Sequence, residues 1–526
     1  MIARRRVVAF VLPLAALLVS AVAHAQVRVV NMIPRHLSNE TFQNAEPTLA
    51  VNPSNPAKMA ASAYAPGGDL CSRGVEAPIF VTADTGKTWS LVCKIRVNSS
   101  STLPPGDVSL RWSSDGRALF AALLWPLNPI TLQVFQTSDP MSAESFTPIH
   151  MIPNVDQPDM EVATVRGRTK LFVAADFFDA DTGAKPFSLG TAVVLVSDPF
   201  HRPKPDSILA PIEHRDISNA GRNYAVRVAA HSSGTVYALI YSPLPSDDKD
   251  PFVIEDVVVA RDDSAGASKN PFTALRDLPA VKASDPCKGR DGIAGFRVAR
   301  CRVVPYPNDV GSFGNQRRVS ANLSIAVDPA RAQNVWIAWA DSSDTDHYTL
   351  HVRRSVDGGS TWSDDLLTIP NATNPALAIA DGANAGFLFQ QLRGKGASQR
   401  WVTQLFTSTD GFKTRRSYTL ATVPSNVPTP VLQPYIGDYI ELRSVGPNFY
   451  GVFSANNTPD TLNFPNGVKF ERNADFKGHF LRDAQDSSSI AISIDPFFFM
   501  VGPKENSACT RLRAARDPRA DIIGCR

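Results

Sequence analysis

Seven times along this chain a short apolar strand, often opened by Pro or Asn, is followed by a turn and a second apolar strand. The first copy pairs residues 46–51 with 59–64, the second 107–112 with 118–124, and the third 157–162 with 171–175. The fourth pairs 224–229 with 236–241, the fifth 322–327 with 335–339, the sixth 374–379 with 386–390, and the seventh 435–442 with 449–453. One such hairpin cannot bury both of its faces, whereas units stacked radially can. Paired strands recurring at this spacing read as blades of about four strands each. The expected fold is therefore an all-β β-propeller of four-stranded antiparallel blades, seven in number, or six if one copy is an insertion. The 41 prolines and 31 glycines suit many short strands and turns. No sustained 3.6-residue apolar period follows residue 25, so almost no helix is expected.

A second element recurs inside this pattern. Thr82, Asp84, Gly86, Thr88 and Trp89 match Ser355, Asp357, Gly359, Thr361 and Trp362 as S/T-x-D-x-G-x-T-W. The physics is that of a hairpin turn. The Asp carboxylate accepts from nearby amides, Gly permits positive φ, and Trp supplies an apolar wedge between blades. Residues 408–412 and 138–140 are eroded candidates for the same turn. The motif resembles the Asp box of sialidases and related propellers, over most of the chain after residue 25. That resemblance implies turns that are structural and lie away from the active site. It also implies a site with an arginine triad, a tyrosine nucleophile backed by a glutamate, and an aspartate acid. The Arg-Ile-Pro motif of sialidases is not preserved, since this chain has Ile33-Pro34-Arg35.

The first 25 residues read as a cleavable signal peptide. Arg4, Arg5 and Arg6 precede an apolar run, and Ala23-His24-Ala25 is a small-x-small cleavage site. Secretion or export to the periplasm is expected, with a propeller over 26–500 and a disulfide-closed tail over 501–526. No later segment has the roughly 18 apolar residues of a membrane span. The three leader arginines account for the whole excess of 53 Lys+Arg over 50 Asp+Glu. A neutral mature chain argues against a broad nucleic-acid or anionic-membrane surface. Six cysteines in an oxidising compartment read as disulfides. Local pairing gives Cys71 with Cys93, Cys287 with Cys301, and Cys509 with Cys525. A zinc site is the weaker reading, without CxxC or His at ligand spacing.

In a propeller the innermost strands surround the channel, so polar residues at their leading ends converge. The repeats place Glu46, Asp107, Asp159, Arg222, Asn223, Arg317, Arg318, Asn374, Tyr435 and Asp438 near such ends. Tyr435, Asp107 and Asp159 are the candidate catalytic groups. Arg222, Arg317, Arg318, Asp438 and Glu46 are the candidate substrate contacts, since Arg binds carboxylates in bidentate fashion. Paired carboxylates suit acid–base work on a glycosidic bond. Each has a bland alternative: a packed tyrosine, an inter-blade ion pair, an Asp capping a turn. Tyr435 and Asp438 differ by three positions, so a regular strand would not put both on one face. No cofactor motif is present. Residues 341–346 form an acidic loop whose oxygens could take calcium, with a solvated loop as the alternative. The leading expectation is a monomeric, carbohydrate-active propeller, an exo-sialidase-like glycoside hydrolase acting on a glycan. The rivals are a non-catalytic propeller that binds glycan or protein, and a polysaccharide lyase on the same fold.

Overall fold

The computed structural model describes residues 26–503, except 65–69, 72–75, 97–103, 143–145, 179–189, 202–205, 215–224, 244–251, 277–294, 306–312, 317–321, 343–346 and 431–433. Among the described residues the unit Val27–Val501 holds seven four-stranded antiparallel sheets and a small three-stranded one formed by Asn473–Asp475, Phe480–Arg482 and Ser489–Ile490. The seven begin with innermost strands Ala45–Val51, Val108–Trp112, Val155–Val165, Val226–Ala230, Leu323–Asp328, Ala372–Ala380 and Glu441–Val445. Each innermost strand touches the next in chain order, and the seventh touches the first, so the sheets close a ring. We number the blades one to seven in that order. Among the described residues the helical segments are four single 3-10 turns.

Six blades are built from four consecutive strands. The seventh is different. Its strands run Glu441–Val445, Asn448–Asn456 and Ile494–Gly502, and its outer strand is the chain's first, Gln26–Asn31. The ring is thus closed by hydrogen bonds between segments far apart in sequence. The seventh repeat starts later than the sequence suggested. Tyr435 to Asp438 form a turn and bend, because Gly437 at φ 87° breaks the extended chain. A Cβ at Gly437 would sit 2.4 Å from the Glu46 backbone nitrogen, so neither its conformation nor its space suits another residue.

The core lies between blades. Val165, Phe172, Val194, Val228 and Val258 pack blade three on blade four. Leu49, Phe80, Tyr450 and Phe498 do the same for blades one and seven. Trp89 of the first Asp box lies 5.4 Å from Phe498, the expected wedge between blades. Both matched boxes form the expected turn. Asp84 accepts from Lys87 N and Thr88 N at 2.8 and 3.0 Å, and Asp357 accepts from Thr361 N at 2.9 Å. The eroded candidate at 408–412 makes the same bonds, with Asp410 accepting from Thr414 N at 3.0 Å. The candidate at 138–140 keeps only part of the pattern, with Met141 N donating to Asp139 at 3.1 Å.

Cys71 and Cys93 form a disulfide. Cys301 is disulfide-bonded too. Cys287, Cys509 and Cys525, like the leader at 1–25 and the tail from 504, lie outside the described residues. Among the described residues no helix is long and apolar enough to cross a membrane.

Candidate functional site at the channel mouth

Three innermost strands open with the same irregularity. Glu46, Gln157 and Asn374 adopt φ of 54°, 53° and 56°, and each is followed by Pro. The register slips at each point, between Ala45 and Thr48, Asp156 and Asp159, and Thr373 and Ala376. These are β-bulges, in which an unpaired residue bends the strand and re-aims its neighbours. Proline is tolerated there because the bulge needs no ladder donor. In blade three the consequence is chemical. Asp156 and Asp159 are three apart and in a regular strand would face opposite ways. The bulge lets both meet groups of blade two, Asp156 reaching Asp107 and Asp159 reaching Arg111.

Tyr439, just ahead of blade seven's first strand, donates its hydroxyl to Asp107 Oδ1 at 2.9 Å. Asp107 also shares a side-chain hydrogen bond with Asp156. Burial, the Asp107 charge and the Asp176 charge push Asp156 up to about 8. Asp176 is its direct cross-strand partner, and like charges placed opposite disfavour ionisation. One carboxyl of the pair therefore stays protonated at neutral pH. Burial, Asp107 and Glu46 hold the Tyr439 hydroxyl well above its ordinary value, against the opposing pull of Arg227. The Arg227 guanidinium lies 5.7 Å from the Tyr439 ring centre.

Below this group the channel narrows to a charged waist. Arg111, whose side chain is 7% exposed, meets Glu441 at 3.1 Å and Asp159 and Glu161 at 3.5 Å. Arg443 donates to Glu161 at 3.1 Å and pairs with Glu441. Thr48 donates to Glu441 at 2.9 Å. Blades one, two, three and seven are tied together here. Burial pushes Glu161 up to about 7 against the pull of Arg111, with Asp159 and Glu441 adding to the rise.

The candidates named from sequence fall in different places. Asp159 lines the channel beside Arg111, and Asp107 bonds Tyr439 and Asp156. Glu46 accepts from Asp438 N at 3.4 Å beside the mouth, and Asp438 itself is buried. Tyr435 stands apart: its ring is buried and its hydroxyl donates to the Val427 carbonyl at 2.5 Å. Asn374 is buried, donating to Gln390 at 2.9 Å and to the Gly437 carbonyl at 3.0 Å. Arg222, Asn223, Arg317 and Arg318 lie outside the described residues, as do residues 343–346 of the acidic loop. Asp341 of that loop is paired with His351 at 3.0 Å and Arg302 at 3.5 Å. Sequence reasoning did not single out Tyr439, Asp156, Arg227, Arg111, Glu161, Glu441 or Arg443. A signal existed. Asp107, Ser109 and Arg111, and again Tyr439, Glu441 and Arg443, alternate with buried apolar residues, so each set shares one strand face.

No family model matches the chain. No curated protein matches it. Among solved structures it is similar to an α-L-arabinanase of Penicillium chrysogenum, at 10% identity over 90% of this chain and 98% of that one, TM-score 0.39. It is similar to an α-L-arabinofuranosidase of Fusarium graminearum, at 9% identity over 89% and 97%, TM-score 0.39. It is also similar to an ulvan lyase, a polysaccharide lyase, at 9% identity over 81% and 93%, TM-score 0.47.

Proposed function

We propose that this chain is a secreted carbohydrate-active enzyme, a glycoside hydrolase working at the channel mouth. The observation that carries the reading is Asp107 bonded at once to Tyr439 and to a carboxyl that keeps its proton near neutral pH. Tyr439 attacks the anomeric carbon while Asp107 takes its proton. Asp156 gives its proton to the leaving glycosidic oxygen. Water then attacks the glycosyl–tyrosine bond, and the two protons return by the same carboxyls. The Asp107–Asp156 contact is closer than the spacing of an acid and a carboxylate nucleophile, about 5 Å or more. This favours Tyr439, rather than either aspartate, as nucleophile. The sialidase-like form of this reading draws on the Asp-box turns and on Arg222, Arg317 and Arg318 as carboxylate contacts. Export by the leader at 1–25 fits the Cys71–Cys93 disulfide.

One observation favours a second reading. Arg227 beside Tyr439 suits the carboxylate of a uronic acid unit. In a lyase, Asp107 would draw off the Tyr439 hydroxyl proton as Tyr439 takes the proton next to that carboxylate, and Asp156 would protonate the departing oxygen. The test is a screen of the mature protein on sialosides, arabinans and uronate polysaccharides, with product analysis. Reducing sugar without ultraviolet absorbance supports hydrolysis. An unsaturated, absorbing product supports elimination. Binding of a glycan without turnover would overturn both and leave a lectin-like propeller.

A further inference from the structure

Strand alternation gathers a second charged cluster, between blades four and five, that the proposed chemistry does not use. Trp339 and Asp341 stand two apart on the strand Arg331–Ser342, as His351 and Arg353 do on its neighbour Tyr348–Ser355. Trp339 and His351 are direct cross-strand partners, so all four share one face of blade five. The Trp339 and His351 rings stack with centres 5.0 Å apart. The outer strand of blade four, Phe296–Pro305, packs against Arg331–Ser342.

His351 is buried, and both of its ring nitrogens are committed. Nε2 lies 3.0 Å from Asp341 Oδ1, and Nδ1 lies 2.7 Å from Asp365 Oδ2. An ionised carboxylate only accepts, so a ring bonded to both must donate from both nitrogens, which only the imidazolium can do. A neutral ring has a single N–H, and its other nitrogen would set a lone pair against a carboxylate oxygen. Burial opposes the charge on His351, and the bonds and charges of Asp341 and Asp365 outweigh it, so the proton is held above the ordinary histidine range. Burial would also raise Asp365, and the bonds from Arg353 and His351 outweigh it and keep that carboxyl ionised. Each carboxylate reaches blade four. Asp341 Oδ2 meets Arg302 at 3.5 Å. Asp365 Oδ1 accepts from Arg353 Nε at 2.6 Å, and Arg353 Nη1 donates to the Val298 carbonyl at 2.7 Å. His351 is thus the middle link of a chain that starts and ends on the strand Phe296–Pro305.

We propose that protonated His351 is a pH-sensitive clasp between blades four and five, and that loss of its proton breaks one of the two carboxylate bonds and loosens the chain between them. The proposal is independent of the reaction at the mouth. The folded ring holds its proton more tightly than the unfolded one. The clasp's stability is therefore fully present below the unfolded value, about 6.5, and is lost as pH rises through the folded one. Histidine ring NMR and scanning calorimetry of the mature protein test it. The ring signal that vanishes in His351→Gln should titrate above about pH 6.5 in wild type. His351→Gln should lower Tm, and its gap from wild type should narrow by about half or more between pH 6 and pH 9. Asp341→Asn offers an amide N–H to the unprotonated ring, so it should bring the His351 titration down and flatten the pH dependence of Tm. If His351→Gln does not fold, the signal moved by Asp341→Asn identifies His351 and carries the test. Titration of His351 at or below the ordinary value, a His351→Gln gap that stays constant across the range, or an unmoved titration in Asp341→Asn would each overturn it.

Discussion

Asp156 keeps its proton because burial, Asp107 and Asp176 all oppose its ionisation. If it is the acid, turnover needs that proton. Activity should then fall as pH rises through about 8, the folded value. Asp156→Asn should remove this alkaline limb and lower turnover by about 10²–10⁴-fold. Asp176→Asn should move the limb to lower pH, since one opposing charge is gone; a pH series of kcat/KM reads both. Tyr439→Phe deletes the attacking oxygen and should lower turnover by at least about 10²-fold with little change in urea midpoint. Tyr435→Phe should do the reverse. Turnover stays near wild type, while stability falls by about 1 kcal/mol with the lost bond to Val427. These two tyrosines show what was legible in the site. Both stand in one short, polar, Gly-containing stretch, and composition alone cannot choose between them. The choice is made by strand parity: Tyr439 shares a face with Glu441 and Arg443, and Tyr435 lies beyond Gly437, where parity no longer carries. Asp156 was hidden for a related reason, since it meets Asp107 only across the Gln157–Pro158 bulge.

At the scale of elements, the Asp-box turns hold the outer strands of blades one, five and six. Burial alone would raise the carboxyls of Asp84 and Asp357, and the hydrogen bonds from their turn donors outweigh it and hold both below the ordinary range. A depressed value means stability present above the unfolded value near 4 and lost as pH falls through the folded one. Asp357→Asn should therefore lower Tm by about 1–2 °C at pH 7. The difference from wild type should close on acidification, as scanning calorimetry at pH 7 and pH 3 can show. The same logic explains why the third box was readable only in part. Ser408, Asp410 and Thr414 supply every hydrogen bond, while Phe412 at φ 62° stands where the other boxes have Gly and packs on Trp336. Gly86 allows no such substitution, since a Cβ there would lie 2.3 Å from the Phe498 ring. The paired inner strands of each blade were legible because both are apolar and local. The outer strand of blade seven was not: Gln26–Asn31 has an ordinary sequence, and its partner lies over 460 residues away.

For the molecule as a whole, ring closure rests on that remote pairing and on a buried ionic cluster beside it. Arg472 and Asp495 are paired with both side chains 0% exposed. Asp495 also accepts from Asn31 of the first strand at 2.7 Å, from Asn457 at 3.1 Å and from Ser493 at 2.7 Å. Arg472 also donates to the Glu40 carbonyl at 3.0 Å, so the segment before blade one joins the same cluster. Burial and the Asp495 charge push the Glu40 carboxyl up to about 8, which leaves it neutral beside an Arg472 already committed to Asp495. One cation thus serves the first strand, the last strand and the chain between them. Removing one member of a buried pair leaves an uncompensated charge, at a cost of about 3–5 kcal/mol. Arg472→Met keeps the apolar length and deletes the charge, so at pH 7 it should destabilise by that amount in urea unfolding. The loss should also be global. A ring held at one closure cannot release blade seven without exposing the faces of blades one and six, so tryptophan fluorescence and circular dichroism should lose structure in a single coincident transition. Separate transitions, with blade seven melting first, would show that the ring is held by its blade-to-blade packing and that the closure contributes little.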